Sequence, residues 1–196
     1  MASSGPDLTI IQSRLGGRRP KTADSPGAAE AAVAVVLAQP SIEDAIEILL
    51  IRRAVRQGDP WSGQMGLPGG RREAADETLL TTAIRETREE TSIDLTAARS
   101  LGRLDDLAPM TPVLPPIIVR PFVFGLRDRP PVRANKEVAG YRWVPLEDLR
   151  RSVGTATVHV RGAPRAVDAY RLGPDVVWGM THRILMPLLD LLDTSR

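Results

Sequence analysis

Residues Ala31-Ala32-Val33-Ala34-Val35-Val36-Leu37 form an apolar run without a single charge. A run this short and this rich in small and β-branched side chains reads as a strand buried in a layered core. Gln39-Pro40-Ser41 reads as a turn, and Ile46-Glu47-Ile48-Leu49-Leu50-Ile51-Arg52 as the partner strand. Further strands are expected at Leu101–Leu104, Ile117–Phe124 and Tyr141–Val144, and a hairpin at Thr155–Val160 and Val167–Leu172. Helices are expected from about Glu77 to Thr91, from Pro145 for a few residues, and from about Val176 to Asp193 with a bend at Pro187. Pro109–Pro116 is too proline-rich for regular structure. Strands interleaved with helices indicate an α/β or α+β layered fold.

No repeat and no second domain is visible. Residues 28–196 read as one domain, and residues 1–27 as a flexible start rich in Gly, Ser, Pro and Arg, with a turn or two of helix around Leu8-Thr9-Ile10-Ile11. A chain of 196 residues is long enough to bury a core. Its formal net charge of +2 gives no reason to expect a nucleic-acid partner. The absence of cysteine excludes disulfides, zinc–thiolate sites and cysteine nucleophiles. No stretch approaches the roughly 18 apolar residues of a membrane span, and the N-terminus lacks the apolar core of a signal peptide. The expected setting is cytoplasmic, with no membrane partner.

Regular patterning stops at Gly58-Asp59-Pro60-Trp61-Ser62-Gly63-Gln64-Met65-Gly66-Leu67-Pro68-Gly69-Gly70. Here Pro68-Gly69-Gly70 permits close approach of backbone to a ligand, one short connection before the helix. That helix carries Arg85-Glu86-Thr87-Arg88-Glu89-Glu90. Glu86, Glu89 and Glu90 stand at i, i+3 and i+4 and share one face, with Leu80, Ile84, Thr87 and Thr91 as a neighbouring stripe suited to the core. Arg85 is one turn before Glu89 and can hold its carboxylate. Three acids on one face are most often a solvated surface. They also repel one another, and a magnesium ion with its preference for oxygen ligands relieves that repulsion.

Loop and helix together resemble the Nudix box, a glycine, a spacer containing an acid, then Arg-Glu-x-x-Glu-Glu. The glycine is Gly70, the spacer acid is Asp76 or Glu77, and the ending is Arg85-Glu86-x-x-Glu89-Glu90. The spacing from glycine to arginine is one residue longer than usual, and Ser92 replaces the final glycine. The longer spacing is similar to the coenzyme A pyrophosphatase branch. So are Leu49-Leu50-Ile51-Arg52-Arg53-Ala54, Gly63 to Gly70, Leu101-Gly102-Arg103-Leu104-Asp105-Asp106 and Trp178-Gly179-Met180-Thr181. The segment Gln57 to Ser62 needs a gap to fit that branch and lacks its central arginine at the matching place.

The resemblance implies an α/β/α sandwich with a mixed β-sheet and a loop–helix–loop metal site. It implies Mg2+ or Mn2+ held by Glu86, Glu89, Glu90 and the backbone carbonyl of Gly70, with Arg85 as a brace. The general base in such proteins is a box glutamate or a later acid, for which Glu137 is the best candidate here; as a surface acid it would pair with Lys136 or Arg133. Arg52, Arg53, Arg56, Arg71 and Arg72 flank the glycine loop, and one or two of them, with Arg52, Arg53 and Arg71 foremost, suit substrate phosphates. Trp61 either stacks on a base or anchors the loop. His159 and His182 stand at no ligand spacing and receive no role. The expected partner is a small phosphorylated, nucleotide-like substrate, with a homodimer left open. The expected activity is hydrolysis of the phosphoanhydride in a nucleoside diphosphate linked to another group. Coenzyme A pyrophosphatase is the narrower alternative, and a non-catalytic nucleotide-binding module with the same fold is the third.

Overall fold

The computed structural model describes residues 7–56, 62–109, 116–160 and 162–192. In chain order the elements are α1 (Leu8–Gly16), β1 (Ala29–Ala38), β2 (Glu47–Arg53), β3 (Met65–Gly66), β4 (Gly69–Arg71), α2 (Leu79–Thr91), β5 (Arg99–Arg103), β6 (Ile117–Leu126), β7 (Val138–Pro145), α3 (Leu146–Arg151), β8 (Val153–Val160), β9 (Ala163–Leu172), β10 (Asp175–Trp178) and α4 (Gly179–Leu192). The apolar run 31–37 lies in β1, at the centre of a mixed seven-stranded sheet. β1 runs parallel to β6 along its whole length. On its other edge it pairs antiparallel with two strands in turn, β4 through Ala31–Val33 and β2 through Leu37 and Ala38. β2 also pairs with β3 and β7, and β5 closes the far side against β6.

Alternation along β1 explains why nearly every residue in it is buried. Ala32, Ala34 and Val36 face α2 together with Leu49, Leu79, Ala83 and Phe124. Ala31, Val35 and Leu37 face the opposite way, into a larger cluster with Ile11 and Leu15 of α1, Tyr170 of β9 and Ile184, Leu185 and Leu188 of α4. Successive side chains of a strand point to opposite faces, so a strand covered on both sides loses its polar alternation. Burying each Val, Leu or Ile side chain here is worth about 1.5–3 kcal/mol, and each alanine methyl less. The result is the α/β/α sandwich expected from the sequence. A separate antiparallel sheet, in the order β10-β9-β8, joins the α4 side.

Three expectations need correction. Residues 7–27 are not loosely attached. Asp7 caps α1 through the backbone N–H groups of Thr9 and Ile10, and Ile11 and Leu15 are 1% and 3% exposed. Beyond the helix, Asp106 accepts the backbone N–H of Ala23 at 3.1 Å and two N–H groups of Arg120 at 2.8 and 2.7 Å. Asp105 accepts from the backbone of Lys21 at 3.0 Å. Two adjacent carboxylates thus hold the segment against the sheet. Second, Val176–Trp178 is a strand, not the first turn of the closing helix. Its apolar run merges in sequence with that of α4, and the break comes at Gly179, whose φ of +63° turns the chain into the helix. Third, α2 begins at Leu79, where Thr78 and Thr81 form a reciprocal capping box. The buried residues are Leu79, Thr82, Ala83, Thr87, Glu90 and Thr91, whereas Leu80 is exposed and Ile84 only half-buried.

Candidate active site

The glycine loop reaches the helix because β1 allows it to. Between its pairings with β4 and β2, β1 gives its Ala34 N–H to the carbonyl of Pro68 at 2.8 Å. Gly69 has φ +151°, and a Cβ there would sit 2.6 Å from Cα of Val33. At Gly70 a Cβ would lie 2.5 Å from the carboxyl carbon of Glu86 and 2.7 Å from its Oε2. No larger residue fits at either position without displacing backbone or carboxylate. These two glycines bring main chain and an acidic side chain into direct contact, which neither motif half implies alone.

A cavity of about 350 Å³ opens at this contact. Its polar end is formed by Arg53, Gly70, Arg71, Glu86, Glu90 and Glu137. Much of the rest of its lining is apolar, with Met65, Ile117, Val119, Trp178, Met180 and Ile184. Glu90 is 2% exposed. Its carboxylate accepts the backbone N–H of Gly69 at 2.9 Å. Burial pushes the Glu90 carboxyl up to about 7, with the Gly69 N–H and the charge of Arg53 opposing and the charges of Glu86 and Glu137 adding to it. Burial also raises Glu86, against the pull of Arg85.

Arg85 is the organising cation. Its Nε and Nη2 clasp the carboxylate of Asp76 at 3.0 and 2.9 Å, Nη2 also donates to the carbonyl of Arg71 at 3.1 Å, and Nη1 reaches Glu86 at 3.0 Å and Glu89 at 3.2 Å. The spacer acid that matters is therefore Asp76. It is buried and accepts in addition the Glu73 N–H at 2.9 Å and the Thr82 hydroxyl at 3.0 Å. Hydrogen bonds from Arg85 outweigh burial and hold the Asp76 carboxyl well below the usual carboxylate range. The same pairing raises Arg85 far above its ordinary value.

The acidic face is less symmetrical than the helical wheel suggests. Glu86 and Glu90 line the cavity, while the Glu89 side chain is 54% exposed and lies on Arg85. Among the described residues no three acid or imidazole side chains are already gathered at metal-binding distance. The materials of a site for a hard divalent cation are nonetheless together. The groups there able to ligate a cation are oxygens, Glu90 is a buried acid that accepts the Gly69 N–H, and the place of a Cβ at Gly70 lies against the Glu86 carboxylate.

Glu137 joins this group because its loop is stitched to the end of α2. The N–H groups of Arg133 and Asn135 bond the carbonyls of Thr91 and Glu90, and the Glu137 carbonyl accepts from Ala54 at 2.7 Å. Its carboxylate pairs with Arg56 at 3.0 Å, rather than with the nearby Lys136 or Arg133 that a surface role suggests. The arginines divide. Arg53 and Arg71 line the cavity, but Arg52 does not. Adjacent residues of β2 point to opposite faces, and Arg52 is ion-paired to Asp175 of β10 instead. Trp61 lies outside the described residues. Trp178, Met180 and Thr181 of the cavity wall draw no functional reading from residue chemistry alone, although their Trp-Gly-Met-Thr sequence was the available signal.

Comparison with known proteins agrees with the geometry. The NUDIX domain profile matches residues 29–163. An uncharacterised protein of Schizosaccharomyces pombe is 41% identical over 107 residues, covering 52% of this chain and 32% of its own length. An uncharacterised Nudix hydrolase, NudL, of Yersinia enterocolitica is 32% identical over 130 residues, covering 65% of each chain. The chain thus spans about a third of the first relative and just under two thirds of the second. Among solved structures, a MutT/nudix family protein from Enterococcus faecalis superposes with a TM-score of 0.55 at 17% identity, covering 92% of this chain and 67% of its own, a likeness of fold.

Proposed function

The chain belongs to the NUDIX domain family, and on that premise we propose that it is a pyrophosphohydrolase cleaving the phosphoanhydride of a nucleoside diphosphate linked to a second group. The observation that carries this reading is the meeting of Gly70, Glu86, Glu90, Glu137, Arg53 and Arg71 at one end of one cavity. Such an end suits a diphosphate and little else. Guanidinium groups bind its anionic oxygens, and acids at the same place require a cation to coexist with them. Glu86, Glu90, Glu89 from the rim and the carbonyl of Gly70 would hold Mg2+ or Mn2+. When bound, such an ion draws charge from the phosphoryl oxygens and lowers the pKa of a coordinated water.

The protein's own groups do the rest. Arg53 and Arg71 orient the diphosphate. Arg85, locked on Asp76, keeps Glu86 and Glu89 from turning away. Glu137 is our candidate to accept the proton of the attacking water, since a general base must stand within hydrogen-bond reach of that water. Water attacks one phosphorus in line, the new P–O bond forms as the bridging P–O bond breaks, and two monophosphates leave. Nothing in the polar end reads a base, so the diphosphate is the shared recognition element. Coenzyme A falls within this substrate class. The gap at Gln57 to Ser62, which lies largely outside the described residues, gives no ground to favour it.

The test is hydrolysis in oxygen-18 water across nucleotide sugars, dinucleoside diphosphates and coenzyme A, with mass analysis of both products. Label is expected in one monophosphate product. Orthophosphate released from a terminal phosphate as the main product overturns the reading, and a clear preference for coenzyme A narrows it to that branch.

A further inference from the structure

A second cavity, an open surface cleft of about 360 Å³, adjoins the first across Gln64, Met65 and Trp178, which line both. It differs in character. Its walls come from loop 62–64, from β8 and from β10, and they carry Arg52, Ser62, Thr157 and His159 with no box glutamate. Its floor is fixed by Asp175. That carboxylate is 5% exposed and is held by Arg52 and by Arg142, the latter at 3.0 Å, while Arg142 also bonds the carbonyl of Leu172 at 2.8 Å. Trp178 ends β10 opposite the fully buried Ala169, immediately before the positive-φ Gly179. The indole is therefore carried on a rigid strand end at the boundary between the cavities.

We propose that this second cavity is the nucleobase pocket and that Trp178 is the ring on which the base stacks. The inference rests on the hydrolase reading above and assigns the ends of its substrate. With the diphosphate at Arg53, Arg71 and the glutamates, the nucleoside passes over Met65 and Trp178 toward Thr157 and His159, and the other group lies along the apolar wall of the first cavity. The base is assigned to the second cavity for chemical reasons. A heteroaromatic ring gains from one aromatic face, here Trp178, and from a polarisable thioether, here Met65. Its edges need hydrogen-bonding partners, which the Thr157 hydroxyl and the His159 imidazole supply in the second cavity and the aliphatic side chains Ile117, Val119 and Ile184 of the first cannot. Trp178 is thus a specificity-determining residue, and Arg52 acts by holding the floor through Asp175.

The test is calorimetric binding, in magnesium, of two inert probes, α,β-methylene-ADP and methylenediphosphonate. They share the P–C–P group and differ by the nucleoside. Trp178→Leu is expected to weaken the nucleotide by about 5- to 150-fold, the range for loss of one base–aromatic stack, and to leave methylenediphosphonate unchanged. Trp178→Phe should restore most of the loss. Thr157→Trp, on the exposed face of β8, should fill the second cavity and weaken only the nucleotide, and it decides the matter if Trp178→Leu does not fold. Equal weakening of both probes, or undiminished nucleotide binding in either variant, overturns the assignment while leaving the hydrolase reading in place. Failure of wild-type protein to bind either probe removes that reading and the assignment with it.

Discussion

Two buried acids at opposite ends of one structural unit behave in opposite ways. Asp76 and Glu90 are 5% and 2% exposed. Asp76 receives four donors, two from Arg85 and one each from Glu73 and Thr82, and its charge is stabilised. Glu90 receives the Gly69 N–H, and burial, with Glu86 and Glu137 adding, penalises its charge against the pull of that N–H and of Arg53. A buried charge with full partners is a structural clamp, whereas one left short of partners is a place for something else to bind. The motif separates the two by position but does not show that Asp76 is the clamp for Arg85.

The largest effect should come from Glu90→Gln. Turnover is expected to fall by orders of magnitude, since a neutral amide is a poor magnesium ligand. Thermal stability in chelator should hold or rise, because the substitution removes a poorly compensated buried charge. Magnesium should raise the melting temperature of wild-type protein and not of the variant. Near-normal turnover at saturating metal would rule out the site as drawn.

Asp76→Asn should do the reverse. It leaves Arg85 without its main partner, at a cost of about 3–5 kcal/mol in stability, measurable by urea unfolding in chelator. If Asp76→Asn were neutral while Glu90→Gln unfolded the protein, the contrast between the two acids would be inverted.

A smaller effect follows from pH. The folded-state pKa of Asp76 lies below its unfolded value, so its contribution is present above about pH 4 and is lost as pH falls through and below that range. Wild-type protein in chelator should therefore lose stability between pH 5 and 2, by roughly 2–3 kcal/mol from this group, and Asp76→Asn should lose correspondingly less. The smallest change, Thr82→Val, removes one of the four donors and should cost about 1 kcal/mol with no change in magnesium affinity.

Much of the fold was legible because periodicity reports burial directly. The run 31–37, the hairpin of β8 and β9 and the acidic helix all stand where the pattern puts them. What escaped was whatever depends on a partner distant in sequence. Arg52 and Arg53 look equivalent in composition, and only the pleat separates a cavity residue from one that grips Asp175. Leu80 and Ile84 share a stripe with Thr87 and Thr91 by spacing, but the sheet covers the adjacent face, Leu79, Ala83 and Thr87. The apolar run 8–11 marks the start of α1, but the anchoring of the segment after it depends on Asp105 and Asp106, far along the chain. Trp178 hides because three apolar residues before a helix look like more of the same helix.

The parallel pairing of β1 with β6 has a consequence for how the molecule is made. Ala29 meets Ile117, roughly ninety residues further on. Contacts so distant slow folding, because the intervening chain must be closed into a loop before any contact rewards it. During synthesis β1 emerges long before its parallel neighbour exists. A strand whose apolar run 31–37 carries no charge, left open on one edge, is a template for pairing with other chains. The same central strand that brings Gly69 and Gly70 to the glutamates is therefore the segment that most needs protection at birth.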